Sequence, residues 1–352
     1  MSLSKPVRFP RAQQRDNKAV GVRRLLAIKA AAARAFPRHE DADENDAFIE
    51  QHTPVGTTRS YTTTQTQWAA YAEERGLPAL PASADLVMSF MRKMVKEGYA
   101  RSTVTKTVPA AIAALHRLHG LDSPTWEPRF KLMRRMVVRA TPPPARKNPV
   151  TPLMLVQLAM QVQPDSFLDV RDMFLFLLIF KVMARQSEAV NLRSSDIDVI
   201  VLDGKQILRV FFATHEPTKN DPERRGDCIL VEESDNPLTC LVAWYRLYLK
   251  LRGCHVSEYV FVSSRDGAQA SARRLGSSLP NSRLKVRCRA AGIDEGQYSS
   301  HSLRHGGATA ASAGGVIERL IKAHGRWKSD CVRVYIHDSL QTKLSVSRAM
   351  SF

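Results

Sequence analysis

Residues Met173 to Phe180 read MFLFLLIF, and a helix built from them has no polar face. The run is far short of the roughly 20 apolar residues that cross a bilayer. A helix that is apolar on every side has to be covered on every side, so this segment forces a domain to be wrapped around it. The predicted helix spans Ser166 to Met183. Ala184-Arg185-Gln186-Ser187-Glu188 then ends the apolar pattern abruptly, before Ala189, Val190 and Leu192 resume it. Charges set among such neighbours cost desolvation energy unless they are paired. Arg185 and Glu188 are therefore either a buried salt bridge or part of a working site.

A chain of 352 residues is longer than one core usually organises, which predicts two domains. Its 52 Lys and Arg against 34 Asp and Glu leave a net charge of +18. That excess points to a polyanion or an anionic membrane surface as partner, far more than to an acidic small substrate. Five cysteines, Cys228, Cys240, Cys254, Cys288 and Cys331, form no CxxC pair. An odd number without such pairs argues against a disulfide framework or structural zinc and favours a reducing, intracellular compartment. Cys331 reads as a small packed residue. His301 and His305 have the i, i+4 spacing of metal ligands but lack a third ligand at helical spacing, so no metal is expected. Walker, GxGxxG, HExxH and EF-hand patterns are absent.

Taken in order, residues 1–55 form a basic arm. Arg11, Arg15, Lys18, Arg23, Arg24, Lys29 and Arg34 stud it, Ala30 to Ala33 suggest a helix, and Asp41, Asp43, Glu44 and Asp46 reverse the charge. It reads as a mobile or partly helical extension, with a transit peptide as the alternative. Residues 56–140 read as a small helical domain. Its helices are expected over Thr62 to Arg75, Ala84 to Glu97 with Ser83 as N-cap, and Val104 to Leu118. Ser102, Thr103 and Lys106 stand at the start of the third, where free N–H groups favour an anion. Between Leu121 and Val150 the chain reads as basic linker: Lys131, Arg134, Arg135 and Arg139 lead into Thr141-Pro142-Pro143-Pro144-Ala145-Arg146-Lys147, a stiff strap, with the domain boundary over 141–150. The second domain, 151–352, opens on a helix capped by Thr151. Strands are predicted over Val199 to Leu202, Gln206 to Phe212 and Cys228 to Glu232, and helices over Pro237 to Leu251 and Pro280 to Ala291. A short tail helix follows Ser339.

The stretch from His301 to Tyr335, HSLRHGGATAASAGGVIERLIKAHGRWKSDCVRVY, carries the most chemistry. His301 and Arg304 lie close to one helical turn apart and can converge on one point. Arg presents a planar pair of donors to phosphate oxygens, and the phenolic oxygen of Tyr can attack phosphorus. In chain order the sequence offers Arg185 with Glu188, Lys219 in the turn between the second and third strands, His301 with Arg304, Trp327, and Tyr335. This order resembles the tyrosine recombinases, the phage integrase family. The string from Gly325 to Asp330 followed by Tyr335-Ile336 looks most like recombinases of eukaryotic mobile elements, the Crypton and DIRS kind, with Cre-like enzymes beside them. Trp327 stands eight positions before Tyr335, one fewer than in many members, and His324 competes for the same place.

The resemblance implies a mainly α fold: an N-terminal helical, SAM-like core-binding domain and a mixed α+β catalytic domain with a small antiparallel sheet. It implies DNA strand exchange through a 3′-phosphotyrosine on Tyr335, within a tetramer assembled on double-stranded DNA from free monomers. Arg185 and Arg304 would stabilise the charged phosphate, His301 would act as base and Lys219 as acid, with Lys205 and Arg209 as nearby competitors. Trp327 would donate to the phosphate or pack under Tyr335, and Glu188 and His305 would support these residues. Arg101, Ser102, Thr103, Lys106, Arg146 and Lys147 would contact DNA. No cofactor, Mg²⁺ or membrane is implied, and the compartment would be the nucleus for a eukaryotic mobile element and the cytoplasm otherwise. A type IB topoisomerase or a domesticated, non-catalytic DNA-binding protein are the alternatives.

Overall fold

The computed structural model describes residues 11–36, 39–212, 215, 223, 225–253, 257–334, 336, 344 and 348. Contacts divide the chain into two compact units, Met1–Ala145 and Arg146–Phe352.

The first unit is helical: α1 (Arg11–Ala35), α2 (Ala42–His52), α3 (Val55–Glu74), α4 (Ala84–Lys96), α5 (Val108–Leu118) and α6 (Pro128–Ala140). Its core is built on Trp68 and Tyr71 of α3, which pack on Phe90 of α4 with ring centroids 5.5 and 5.2 Å away. Burying three such rings supplies much of the driving force for a unit this small. Trp68 keeps its indole N–H satisfied by donating to the Ala79 carbonyl at 2.9 Å. α4 starts where Ser83 accepts from the Leu86 N–H, as a serine N-cap should. Two stretches differ from their sequence reading. Leu25 and Ala32 of α1 are buried in the same core as Trp68, so this helix is part of the unit rather than a free extension. The basic stretch around Arg134 is not all linker: α6 carries it on one side and buries Phe130 and Val137 on the other. Its charges hid a period that two apolar residues suffice to anchor.

The second unit contains α7 (Pro152–Ala159), α8 (Phe167–Lys181), α9 (Gln186–Asn191), β1 (Ile197–Leu202), β2 (Lys205–Phe212), β3 (Asp227–Glu232), α10 (Leu241–Arg252), β4 (Val262–Ser264), β5 (Ala270–Arg274), α11 (Leu279–Ala290), α12 (Ser300–Ala313) and α13 (Glu318–His324). α8 is the apolar run, and every residue from Val170 to Phe180 is buried. Around it lie α7, α10, α11 and α12. β1, β2 and β3 form an antiparallel sheet in that order, with Val210 facing Ile197 on one side and Ile229 on the other. Leu208 and Val210 project from β2 into the core at period two. No described helix is long and apolar enough to cross a membrane.

One close approach sets the geometry of everything near the C-terminal end of α8. A Cβ on Gly306 would overlap the Val150 carbonyl, and one on Gly307 the Phe180 carbonyl. These two glycines let α12 lie directly against the last turn of α8, which brings Arg304 to Met183.

Candidate active site

Past Lys181 the chain leaves α8 through Val182, turns at Met183 with φ of 48°, and enters α9. Arg185 is the residue before the first turn of α9, and Glu188 sits three further on, where its Oε2 accepts the Arg185 backbone N–H at 2.8 Å. The reach of a carboxylate back to the residue that opens its own helix is half of a capping box. It fixes Glu188, which then binds arginines with both oxygens. Arg185 Nη1 donates to Oε1 at 2.6 Å and Arg326 Nη2 to Oε2 at 2.8 Å, while Arg304 Nη1 lies 3.9 Å from Oε2. Three guanidiniums from three parts of the chain thus share one carboxylate. Burial alone would push the Glu188 carboxyl up; the Arg326 charge, then the Arg185 N–H and guanidinium, outweigh it and hold the carboxyl below the usual glutamate range.

Arg304 is 1% exposed and forms the floor of the cluster. Its Nη1 donates to the Met183 carbonyl and its Nη2 to the Gly325 carbonyl at 2.6 Å. Its guanidinium carbon lies over the ring of Trp327, 4.2 Å from the centroid, a cation–π contact in a dry setting. Trp327 is buried with Met183, Ala308, Ile321 and Val332, and Ile336 packs against the same cluster. Gly325 has no room for a Cβ because the Trp327 ring occupies that space. His301 stands in the first turn of α12. Crowding around its imidazole, then the charges of Arg304 and Arg185, push its pKa below the usual histidine value, so it stands neutral near pH 7. The start of α12 is tied to α9 by Ser300, whose hydroxyl bonds Gln186 Oε1. His305 is half-buried one turn along α12.

His324 is committed elsewhere, with Nε2 donating to the Lys181 carbonyl at 2.8 Å. The two competitors of Lys219 are also occupied. Lys205 pairs with Glu232, and Arg209 pairs with Asp198 through Nη2 at 2.6 Å. Lys219 and Tyr335 themselves lie outside the described residues. Cys331, read as packed, is exposed.

Arg326 is the residue that sequence reasoning missed. It is nearly buried, adopts φ of 57°, lays its guanidinium 3.6 Å from the ring centroid of Phe212 at the end of β2, and donates to Glu188. A left-handed backbone at a long side chain is uncommon and clusters at functional sites. The signal was available, because Arg326 has the one extra position of spacing to Tyr335 that Trp327 lacks.

Of the residues expected on DNA, Arg101 bonds Thr141 through Nε at 3.1 Å and through Nη2 to its carbonyl. Ser102 and Lys106 are exposed and Thr103 is half-buried, in a stretch that runs as π-helix from Thr103 to Thr107 into α5. In the second unit Arg146 is exposed and Lys147 donates to the Gly296 carbonyl.

The model of the phage integrase family matches residues 154–341, more than half of the chain. The chain belongs to that family, the tyrosine recombinases. Solved structures share the fold of this recombinase at low identity. The XerH site-specific recombinase, in a post-cleavage complex with a palindromic difH substrate, has a TM-score of 0.58 at 13% identity, over 84% of this chain and 79% of that one. The Tn1549 transposon integrase (aa 82–397), in complex with circular intermediate DNA, gives 0.52 at 12%, over 92% and 98%. A lambda integrase dimer bound to a COC′ core site gives 0.51 at 15%, over 84% and 76%. No curated protein matches the chain. Its fold is the expected one, a helical N-terminal part followed by a helical catalytic part with small antiparallel sheets.

Proposed function

We propose that this recombinase cleaves and rejoins double-stranded DNA through a covalent bond between Tyr335 and a 3′-phosphate, inside the cell and within a tetramer assembled on DNA. The observation that carries the reading is the gathering of Arg185, Arg304 and Arg326 on the Glu188 carboxylate. Val332 and Ile336, on either side of Tyr335, both pack on the Trp327 cluster beside those arginines, which supports assigning the nucleophile to this site.

In the proposed reaction the Tyr335 oxygen attacks the scissile phosphorus in line, and the 5′-oxygen leaves. The proton of the phenol passes to His301, whose lowered pKa keeps it free to accept. Lys219 returns a proton to the leaving oxygen. Negative charge builds on the non-bridging oxygens, where Arg185 donates from the rim and Arg304 acts from beneath in a low-dielectric setting. Trp327 holds Arg304 flat, and Glu188 with Arg326 holds Arg185. The phosphotyrosyl ester keeps the energy of the broken bond, so a second 5′-hydroxyl can reverse the step. Arg101, Ser102, Thr103, Lys106, Arg146 and Lys147 would contact DNA outside the site.

A nicked suicide duplex tests this. The expected result is an adduct that maps to Tyr335, is absent in Tyr335→Phe, and forms about 10²–10³-fold more slowly in Arg185→Ala. An adduct on another residue, or full strand exchange by Tyr335→Phe, refutes it.

A further inference from the structure

A cleft of about 520 Å³ opens beside the last residues of β2, and its lining includes Phe212, Ser195, Asp196, His215 and Cys228. Phe212 is shared with the arginine cluster, since Arg326 lies over its ring. The cleft therefore adjoins the candidate active site through one side chain.

Within it stands a pair of residues to which the cleavage reaction gives no role. Asp196 ends the short turn that leads into β1 and is 5% exposed. Its Oδ2 accepts the Arg193 backbone N–H at 2.8 Å, which fixes the carboxylate. His215 Nε2 donates to the other oxygen, Oδ1, at 2.8 Å. An exposed imidazole is thus tied to an acceptor that is buried and already held in place.

The place of His215 in the chain gives the tie its meaning. β2 and β3 are paired as far as Phe212 and Asp227, and 14 residues join these two. A connection of that length in a compact unit is usually functional. Lys219 belongs to it, seven positions after Phe212, four after His215 and eight before Asp227. Covalent geometry allows a Cα to lie up to about 25 Å away over seven residues, and about 14 Å over four. Attachment at His215 therefore shrinks the volume open to Lys219 by about fivefold, and raises its effective concentration at any point within reach by the same factor.

We propose that His215 is a positioning residue for the protonation of the leaving 5′-oxygen: bonded to Asp196, it anchors the β2–β3 connection beside the arginine cluster and so confines Lys219. The inference rests on the reading of Lys219 as the acid. In that step the bond from Tyr335 to phosphorus forms, the bond to the 5′-oxygen breaks, and the Lys219 ammonium gives its proton to that oxygen. His215 exchanges no proton.

Single-turnover cleavage by the full chain, on two nicked suicide duplexes, tests this. One duplex has the ordinary bridging 5′-oxygen at the scissile phosphate, and the other has sulfur there. A thiolate is a far weaker base than an alkoxide and leaves without a proton. His215→Ala is expected to cleave the oxygen duplex about fivefold more slowly and the sulfur duplex at the parent rate, which also shows that the variant is folded. His215→Gln, whose amide can donate to Asp196, should recover most of the rate on oxygen. Equal slowing of both duplexes by His215→Ala, or the parent rate on oxygen, overturns the proposal. Lys219→Ala tests the underlying reading separately: selective loss on the oxygen duplex supports Lys219 as the acid, and equal loss on both removes that reading and the role of His215 with it.

Discussion

Replacing Glu188 by Gln removes one charge from the arginine cluster while keeping the shape of the side chain. An amide oxygen in place of Oε2 still accepts the Arg185 N–H and Arg326 Nη2, each now at 2.8 Å. The amide nitrogen then takes the place of Oε1 and meets Arg185 Nη1, which donates there at 2.6 Å, so a donor faces a donor and that bond is lost. A hydrogen bond to a charged group contributes about 1.5–3 kcal/mol. Leaving a buried charge without its partner costs up to about 3–5 kcal/mol. Arg185 is 22% exposed and water takes over part of the loss, whereas Arg304 at 1% has no such relief. The expected cost is about 2–4 kcal/mol near pH 7. For a unit of this size that lowers Tm by roughly 4–16 °C.

The pH dependence provides an internal control. The folded-state pKa of Glu188 lies below its ordinary range, so its charge stabilises the fold fully above that range. The contribution disappears as pH falls through the depressed folded value. Urea unfolding of parent and Glu188→Gln should therefore show a gap that is widest near neutrality and closes in acid. A variant as stable as the parent at neutral pH, or a gap of constant size down the acid range, refutes the reasoning.

Three other outcomes follow from the same geometry. Gly307→Ala should cost about 1–3 kcal/mol, toward the upper end because the atom in the way is the Phe180 carbonyl, and an unchanged urea midpoint would deny the close approach of α12 to α8. The acid limb of the cleavage-rate profile should fall below the ordinary histidine value and vanish in His301→Gln, since burial, Arg304 and Arg185 all disfavour the imidazolium; a limb at or above that value would remove His301 as the base. Arg326→Lys keeps the charge but cannot lie flat on Phe212 while bonding Glu188, so cleavage should slow by about tenfold, one such bond's worth, at unchanged duplex affinity. An unchanged cleavage rate in that variant would separate Arg326 from the positioning of Arg185.

The parts of the fold that were legible in the sequence were those with one dominant period. MFLFLLIF reads as a covered helix and is one, and the apolar run within Gln206 to Phe212 reads as a strand, with Ile207, Leu208 and Val210 buried in the fold. Arg185 and Glu188 stood out because charge interrupts an apolar pattern there. A helix buried by very few residues carries a much weaker pattern. α1 is anchored by Leu25 and Ala32 within a basic surface, and α6 by Phe130 and Val137. The β4–β5 hairpin, rich in Ser and Arg, has only Val262 buried along its strands, so no alternation announces it. Arg326 stands between Gly325 and Trp327, and by residue type Trp327 is the match to a motif that accepts His or Trp. Only the folded geometry shows the arginine turned inward onto Glu188 and the indole turned under Arg304.

Under the reaction proposed above, that arrangement has a consequence for catalysis. One carboxylate faces three guanidiniums, so the cluster carries more positive than negative charge in a place that water reaches poorly. Burial works against the charge of Arg326, and Glu188 only partly offsets it. Each unit of uncompensated charge destabilises the free protein, and a carboxylate added to cancel it would stabilise the fold. It would also abolish the advantage. A phosphodiester in its ground state brings one negative charge, and the pentavalent species formed by attack concentrates more of it on the non-bridging oxygens. A site left positive by its own residues therefore gains more from the transition state than from the bound substrate, and only that difference accelerates the reaction. On this account Glu188 is present to set the direction of the arginines, and its being a single carboxylate is what keeps them available to phosphate.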